Sequence, residues 1–217
     1  MHIDKDTMIF ASFAKIAGNN GCTIFNTSFN YYKLNAIYKS FSVNNLEKSV
    51  ESARVLNFKG FAITMPFKKD IIRYVDELNF EVQKIGSANT VVNNNGILKA
   101  YNTDYLAAKE ILKDIRNEKL FILGDGGFSL SVQYAAMELG LNYSIINRKN
   151  WIDIKDIKNS IIFNCTPVEN IEIDSSNKFI DCLINTNTGK FLSFIQASYQ
   201  FKLYTGLDFP LKNNFII

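Results

Sequence analysis

Two hydrophobic periods alternate along this chain, one near 2 and one near 3.6 residues, and together they predict a chain of mixed strands and helices. The first apolar run, MIFASFAKIAG (8–18), predicts a strand, and NYYKLNAIYKSF (30–41) has apolar residues at helical spacing. NNLEKSVESARVLNF (44–58) places Leu46, Val50, Ala53 and Val55 roughly on one face after an asparagine cap, which predicts a second helix. The short apolar strand GFAIT (60–64) leads into MPFKKD, where Pro66 suits the first position of a helix because it has no N–H to lose. In such a helix Phe67, Ile71 and Val75 would form the apolar seam. Lys68 would border buried surface, and Lys69 would lie about 200° from Phe67 on the solvent face.

ANTVVNNNGILKAYN (88–102) reads as two short strands around an Asn-Asn-Gly turn, because Asn and Gly tolerate the positive φ of hairpin turns. DYLAAKEILKDIR (104–116) predicts an amphipathic helix with Leu106, Ala107, Ile111, Leu112 and Ile115 as its stripe. Further on, WIDIKDIKNS is too short for a full crossover helix with its loops. IIFNC (161–165) and KFIDCLIN (178–185) are then expected strands and KFLSFIQASYQF (190–201) an expected helix.

The strongest local signal is KLFILGDGGFS (119–129): a strand running into glycines, followed by the helical SLSVQYAAMELGL and a second strand, YSII. In a strand-turn-helix-strand setting, glycines let the backbone approach a pyrophosphate and the helix start stabilises it. The spacing is G-x-G-G, with Gly124, Gly126 and Gly127 as the glycines and Ser129 at the usual third position. After YSII the chain reads NRKN, with Arg148 and Lys149 and no acid until Asp153. Cations there suit a ribose 2′-phosphate, so the pattern favours NADP over NAD.

Composition narrows the chemistry further. With 217 residues, 47% hydrophobic and 21% charged, the chain can bury a real core. Its net charge of +3 comes from scattered lysines, so neither a nucleic-acid footprint nor a charged membrane face is indicated. No apolar stretch reaches the ~20 residues of a spanning helix and the first thirty residues do not read as a secretion signal, which sets the expectation of a soluble, cytoplasmic protein. Three widely spaced cysteines read as reduced core thiols. His2 is the only histidine, so histidine-based triads and metal sites are disfavoured, no metal is expected, and acid/base work falls to Lys, Asp, Glu or Tyr.

These segments resemble the shikimate dehydrogenase family. Its motif G-x-N-V-T-x-P-x-K is similar to GFAITMPFK (60–68), its G-A-x-N-T to GSANT (86–90), its N-T-D-G to NTDY within 101–105, and its G-A-G-G-A to GDGGF. N-R-T is similar to NRK (147–149), I-N-A-T to FNCT (163–166) and G-L-x-M-L to GLDFP (206–210). Seven motifs fall in family order across about residues 20–213.

The resemblance implies an α/β chain of two domains: an N-terminal α/β substrate domain over 1–102 and a Rossmann-like NADP-binding domain over 103–205, with the tail 206–217 packing back on the first. It implies reversible reduction of 3-dehydroshikimate to shikimate, with Lys68 and Asp104 as the catalytic pair. Thr64 and Asn89 would hold substrate hydroxyls, and Asn213 would stand for a late glutamine. For the cofactor it adds Phe128, Asn147 and Thr166 to the three glycines, Arg148 and Lys149.

Some positions depart from the pattern. The family grips the substrate carboxylate with a Ser-x-Ser and a His-Asn that start a helix. Counting back from Asn35 puts Ser28 and Asn30 at the serine positions, and counting forward from Ile24 puts Thr27 and Phe29 there. Ala62 replaces an asparagine and Ile184 a tyrosine. These losses set the alternative: a homologue with an altered, quinate-like substrate, or one that binds without catalysis. The expected partner is the small-molecule substrate, and the chain is expected as a monomer or homodimer.

Overall fold

The structure, a computed structural model, describes residues 3–210 of the chain. It divides into two compact units: the chain up to Thr103 joined by the stretch that starts at Ala197, and Asp104–Gln196. The return to the first unit therefore starts at Ala197, inside a helix, and not at 206 as expected.

The first unit is built on a six-stranded sheet of β1 (Met8–Ala14), β2 (Ala36–Ser42), β3 (Gly60–Ile63), β4 (Glu77–Leu78), β5 (Thr90–Asn94) and β6 (Ile97–Tyr101), ordered β2-β1-β3-β5-β6-β4. β1 lies parallel to β2 and β3, and β3 is antiparallel to β5. Both faces of β1 are buried, which explains its nearly unbroken apolar run. On one face Ala11 and Phe13 join Phe61, Ile63, Ile71 and the helix α2 (Leu46–Val55). On the other, Phe10 meets Phe25 and Phe29 of α1 (Asn20–Tyr31), with Phe201 of α6 (Asn187–Thr205).

The helix predicted over 30–41 is corrected by the structure. α1 covers 20–31, where Phe25, Ser28 and Phe29 form the buried stripe, and Ala36–Ser42 is strand β2. The outward-facing N–H and C=O of Tyr38 on this edge strand are both satisfied by the Asn26 side chain, at 2.8 and 3.0 Å. The helix expected from Pro66 is also absent. Residues 65–69 are turns that end in a single 3-10 turn, Asp70–Arg73. Phe67, Ile71 and Val75 still pack on the core, as the seam requires. Val55 is exposed. α2 keeps its asparagine cap, Asn45 Oδ1 accepting from Lys48 N at 2.9 Å. The β5–β6 turn has Asn95 and Gly96 at φ 53° and 94°, the conformation a tight hairpin requires. A short helix not anticipated from sequence, α3 (Phe80–Ile85), is capped by Asn79 and ended by Gly86 at φ 72°.

The second unit carries four parallel strands, β7 (Leu120–Leu123), β8 (Tyr143–Ile146), β9 (Ile161–Asn164) and β10 (Lys178–Asp181), ordered β10-β9-β7-β8. Helices α4 (Thr103–Leu112) and α5 (Gly127–Glu138) belong to it, and only a 3-10 turn, Trp151–Asp156, lies between β8 and β9. The chain leaves β7 to one side for β8 and then crosses to the other side for β9. The carboxyl ends of β7 and β9 are thus a topological switch point, the place where open parallel sheets bind ligands.

Candidate functional site

In the first unit Thr64, Lys68 and Asn89 lie around the carboxyl end of β3, where Ile63 N donates to Asn89 O at 2.9 Å. Thr64 N donates to Phe13 O at 3.0 Å and Lys15 N to Met65 O at 3.2 Å, so the turn after β3 is fixed against the end of β1. The Met65–Pro66 peptide is cis. Lys68 is half-buried and its carbonyl accepts from Ala88 N at 2.8 Å, whereas Lys69 is exposed. The expected asymmetry of the two lysines holds, but a turn produces it and not a helix face.

Asn89 is 2% exposed and sits at the centre of a buried polar network. Its Oδ1 accepts from Thr103 N at 2.8 Å and from Thr90 Oγ1 at 3.0 Å, and its Nδ2 donates to Thr103 Oγ1 at 2.9 Å. Gln200 of α6 extends the network, donating to Thr90 Oγ1 at 2.9 Å and to Asn89 O at 3.3 Å. The sequence reading missed Gln200. A lone glutamine in a helical stripe gives no sign of its partner until the helix is placed.

In neither register do the assigned residues come together as a carboxylate clamp. Ser28 is fully buried inside α1 and its hydroxyl donates to Ile24 O at 2.9 Å, a bond within its own helix. Asn30 is exposed about 200° round the same helix, so the two cannot grip one group. Thr27 is exposed and Phe29 buried, which removes the other register as well. The helix that the clamp should start begins at Asn20, after the exposed Gly18 and Asn19. Asn213 lies outside the described residues.

In the second unit Asp104, 1% exposed, stands in the first turn of α4, where a carboxylate favours the positive helix end. Tyr105 follows it, in place of the family's glycine. Its hydroxyl donates to Glu138 of α5, and Lys109 Nζ donates to Glu138 at 2.7 Å and to Tyr105 Oη at 3.1 Å. The Lys109 ammonium, and then the Tyr105 hydroxyl, hold the Glu138 carboxyl below its ordinary value of 4.5, while burial, followed by the Glu138 contact, pushes the Tyr105 phenol up. A depressed carboxyl stabilises the fold above its unfolded pKa and loses that contribution as pH falls through the folded value. Glu138→Gln is expected to cost ~1 kcal/mol near neutral pH, a value suited to a partly exposed pair. Thermal melts of the two proteins should converge below pH 4.5, and a gap that persists in acid would show that the pair does not supply it.

The glycine turn joins β7 to α5. Gly124 has φ 100°, and an added Cβ would lie 2.8 Å from Thr166 Cγ2, so glycine is demanded there both by conformation and by the close approach of the segment after β9. Gly126, the N-cap of α5, has φ −77° and a Cβ there would meet nothing within 4 Å. Neither strain nor packing requires glycine at 126. A bare backbone facing open space is what a ligand approaching the helix start needs.

Thr166 is oriented by Asn164, whose Oδ1 accepts from both its N–H and its hydroxyl, at 2.9 and 2.7 Å. Phe128 packs edge-on against Phe163. Asn147 and Asn150 tighten the turn after β8, leaving Arg148 and Lys149 exposed at its tip. Gly124, Gly126, Gly127, Phe128, Thr166 and the Asn147–Lys149 tip all lie at the carboxyl end of this sheet.

Comparison with known proteins identifies the family. The family model of the shikimate dehydrogenase substrate binding domain matches residues 15–91. The shikimate dehydrogenase (NADP(+)) of Caldanaerobacter subterraneus subsp. tengcongensis is 34% identical over 199 residues, which cover 87% of this chain and 71% of that protein. The shikimate dehydrogenase-like protein of Haemophilus influenzae is 35% identical over 151 residues, 68% of this chain and 56% of that one. The crystal structure of shikimate dehydrogenase from Aquifex aeolicus superposes with a TM-score of 0.83 at 25% identity, covering 96% of each chain. The chain belongs to the shikimate dehydrogenase family.

Proposed function

We propose that this protein catalyses the reversible, NADP-dependent reduction of 3-dehydroshikimate to shikimate, with Lys68 and Asp104 as its acid/base pair. The observation that carries this reading is the glycine turn of β7 and α5, opened toward a ligand at Gly126 and flanked by Thr166 and by the cationic tip Arg148–Lys149. The 34% identical relative named as an NADP-dependent shikimate dehydrogenase supports the substrate. Three cysteines outside any disulfide accord with a reducing, cytoplasmic setting, and no described helix is long and apolar enough to cross a membrane.

Backbone N–H groups of Gly126, Gly127 and Phe128 would hold the pyrophosphate, with Gly124 and Thr166 shaping the mouth. Asn147, Arg148 and Lys149 would hold the phosphorylated ribose. The bound cofactor supplies a hydride to the ketone carbon, or accepts one in the reverse direction. The protein's task is the proton. As the ketone oxygen gains charge, the Lys68 ammonium stabilises it and donates a proton, and in reverse the neutral amine takes the proton back. Asp104 is the second member of the proposed pair. Thr64 and Asn89 would hold the substrate's hydroxyls.

Purified protein should reduce NADP when shikimate is added, read from the absorbance of the reduced nicotinamide. No turnover at millimolar shikimate by folded protein would overturn the reading. Arg148→Ser should raise KM for NADP about tenfold and leave KM for NAD unchanged, because only the 2′-phosphate loses a partner. An equal change for both cofactors would remove Arg148 from this role.

A further inference from the structure

Two cysteines stand side by side at the carboxyl end of the second unit's sheet. β9 and β10 run parallel with Asn164 opposite Asp181, and Cys182 N continues the ladder by donating to Asn164 O at 3.2 Å. The next pair in that register is Cys165 and Cys182. Adjacent strands lie ~4.8 Å apart and bridged cysteines have Cα atoms ~4.4–6.8 Å apart, so the backbone sets the pair at the span of a disulfide. The two side chains also share a face. Register partners on parallel strands point the same way, as the 3.0 Å bond from Asn164 Nδ2 to Asp181 Oδ1 shows, and the next residue of each strand points the other way. Cys182 Sγ donates to Thr166 O at 3.6 Å, which puts that sulfur beside the residue that follows Cys165. We propose that Cys165 and Cys182 are a modification site: a dithiol that a small disulfide oxidises to an intrachain disulfide, whose closure weakens dinucleotide binding at the neighbouring glycine turn.

Both cysteines are half-buried, within reach of a small oxidant such as oxidised glutathione. The thiolate of one attacks a sulfur of that disulfide, forming a mixed disulfide and releasing one glutathione thiolate. The thiolate of the other then attacks the protein sulfur of the mixed disulfide, closes the Cys165–Cys182 bond and releases the second glutathione. The pair gives up two electrons, the oxidant gains them, and the two thiol protons pass to the two glutathione thiolates. In a reducing compartment such a bond is transient and reports an oxidising shift. The third cysteine, Cys22, belongs to the first unit, where its Sγ lies 3.3 Å from Ser40 Oγ.

The two ends of the new bond are not equally held. The start of α6 packs closely on the Cys182 side, where a Cβ added at Gly189 would lie 2.9 Å from Cys182 C. Cys165 instead leads into a turn whose Thr166 bonds mainly to the Asn164 side chain, so the Cys165 side yields. In the strand order β10-β9-β7, a pull toward Cys182 is a pull away from β7. It loosens the 3.0 Å bond from Cys165 N to Leu123 O and draws Thr166 back from Gly124, against which its methyl now packs. Oxidation also removes the S–H that Thr166 O accepts. Both changes act in one direction: the wall of the glycine turn retreats, and a bound dinucleotide loses contact.

The control of binding rests on the reading of the glycine turn as the cofactor seat, and the test separates the two. The full chain is equilibrated in glutathione buffers from fully reduced to fully oxidised, alkylated and mapped by mass spectrometry, and titrated in parallel with NADP by calorimetry. Oxidised wild type should yield a linked peptide pair containing Cys165 and Cys182. It should bind NADP about fivefold more weakly than the reduced protein, the scale of one lost hydrogen bond, and recover in dithiothreitol. The double variant Cys165→Ser, Cys182→Ser should keep the reduced affinity in every buffer, and Cys22→Ser should follow wild type. If Cys165 and Cys182 stay unlinked in the most oxidised buffer, the inference falls and the cofactor reading stands. A mapped Cys165–Cys182 bond with unchanged NADP affinity, or an equal loss of affinity in the double variant, would overturn the control of binding in the same way. Failure of the reduced protein to bind NADP would remove the cofactor reading and the control with it.

Discussion

Lys68→Met is expected to lower kcat for shikimate oxidation by about three orders of magnitude, the scale of a lost general acid/base, with NADP affinity unchanged. Methionine keeps the length and apolar stem of lysine and removes only the charge and the proton. Lys68 is half-buried on a turn whose backbone contact, Lys68 O with Ala88 N at 2.8 Å, does not involve the side chain, so folding should survive. Asp104→Asn should cost a similar factor, and the double variant little more than either, because groups that act as a unit are not additive. Lys69→Met should leave kcat within about twofold, since Lys69 is exposed and the mechanism assigns it nothing. Steady-state rates of the four variants decide the matter. A Lys68→Met protein that keeps a tenth or more of wild-type kcat would exclude Lys68 as the proton carrier.

The parts of this fold that were legible in the sequence share a physical cause: each has a local signal that tertiary structure does not override. The Asn95–Gly96 turn requires positive φ at both residues, and only a few residue types supply it cheaply. Gly124 and the strand before it announce the β7–α5 turn in the same way. The misread segments lack such signals. Residues 30–41 carry apolar positions that fit either period, and β1, which pairs with Ala36–Ser42, draws that stretch into the sheet. The clamp positions counted from Asn35 and from Ile24 all fall inside α1, which begins at Asn20. Pro66 is compatible with a helix start, but it is equally a turn residue, and the chain here turns. The glycine turn was legible because Gly124, at φ 100°, holds a conformation that few residue types adopt cheaply. Gln200 could not be read at all, since its partners are more than a hundred positions away.

Asn89→Ala should be the most destabilising single change in the first unit's polar interior, by ~3 kcal/mol. The side chain is 2% exposed, and alanine would leave Thr103 N without the 2.8 Å bond it donates and remove the 2.9 Å bond that Thr103 Oγ1 accepts, each at a buried group where an unmet bond costs ~1–3 kcal/mol. For a chain of this size the thermal midpoint should fall by roughly 6–12 °C. Gln200→Ala should cost less, about 1–2 kcal/mol, because its removal leaves Asn89 still bonded to Thr103. In a double-variant cycle the two losses should fall short of additive, as expected for residues in one network. The cycle also bears on chemistry, because Asn89 is proposed to touch the substrate as well as to hold the fold. Assayed well below its midpoint, the folded Asn89→Ala protein should show KM for shikimate raised about tenfold, while Gln200→Ala leaves it near the wild-type value. If both variants lose stability and neither changes KM, Asn89 is a structural residue alone, and the substrate's hydroxyls must be read by Thr64 and other groups around the turn after β3.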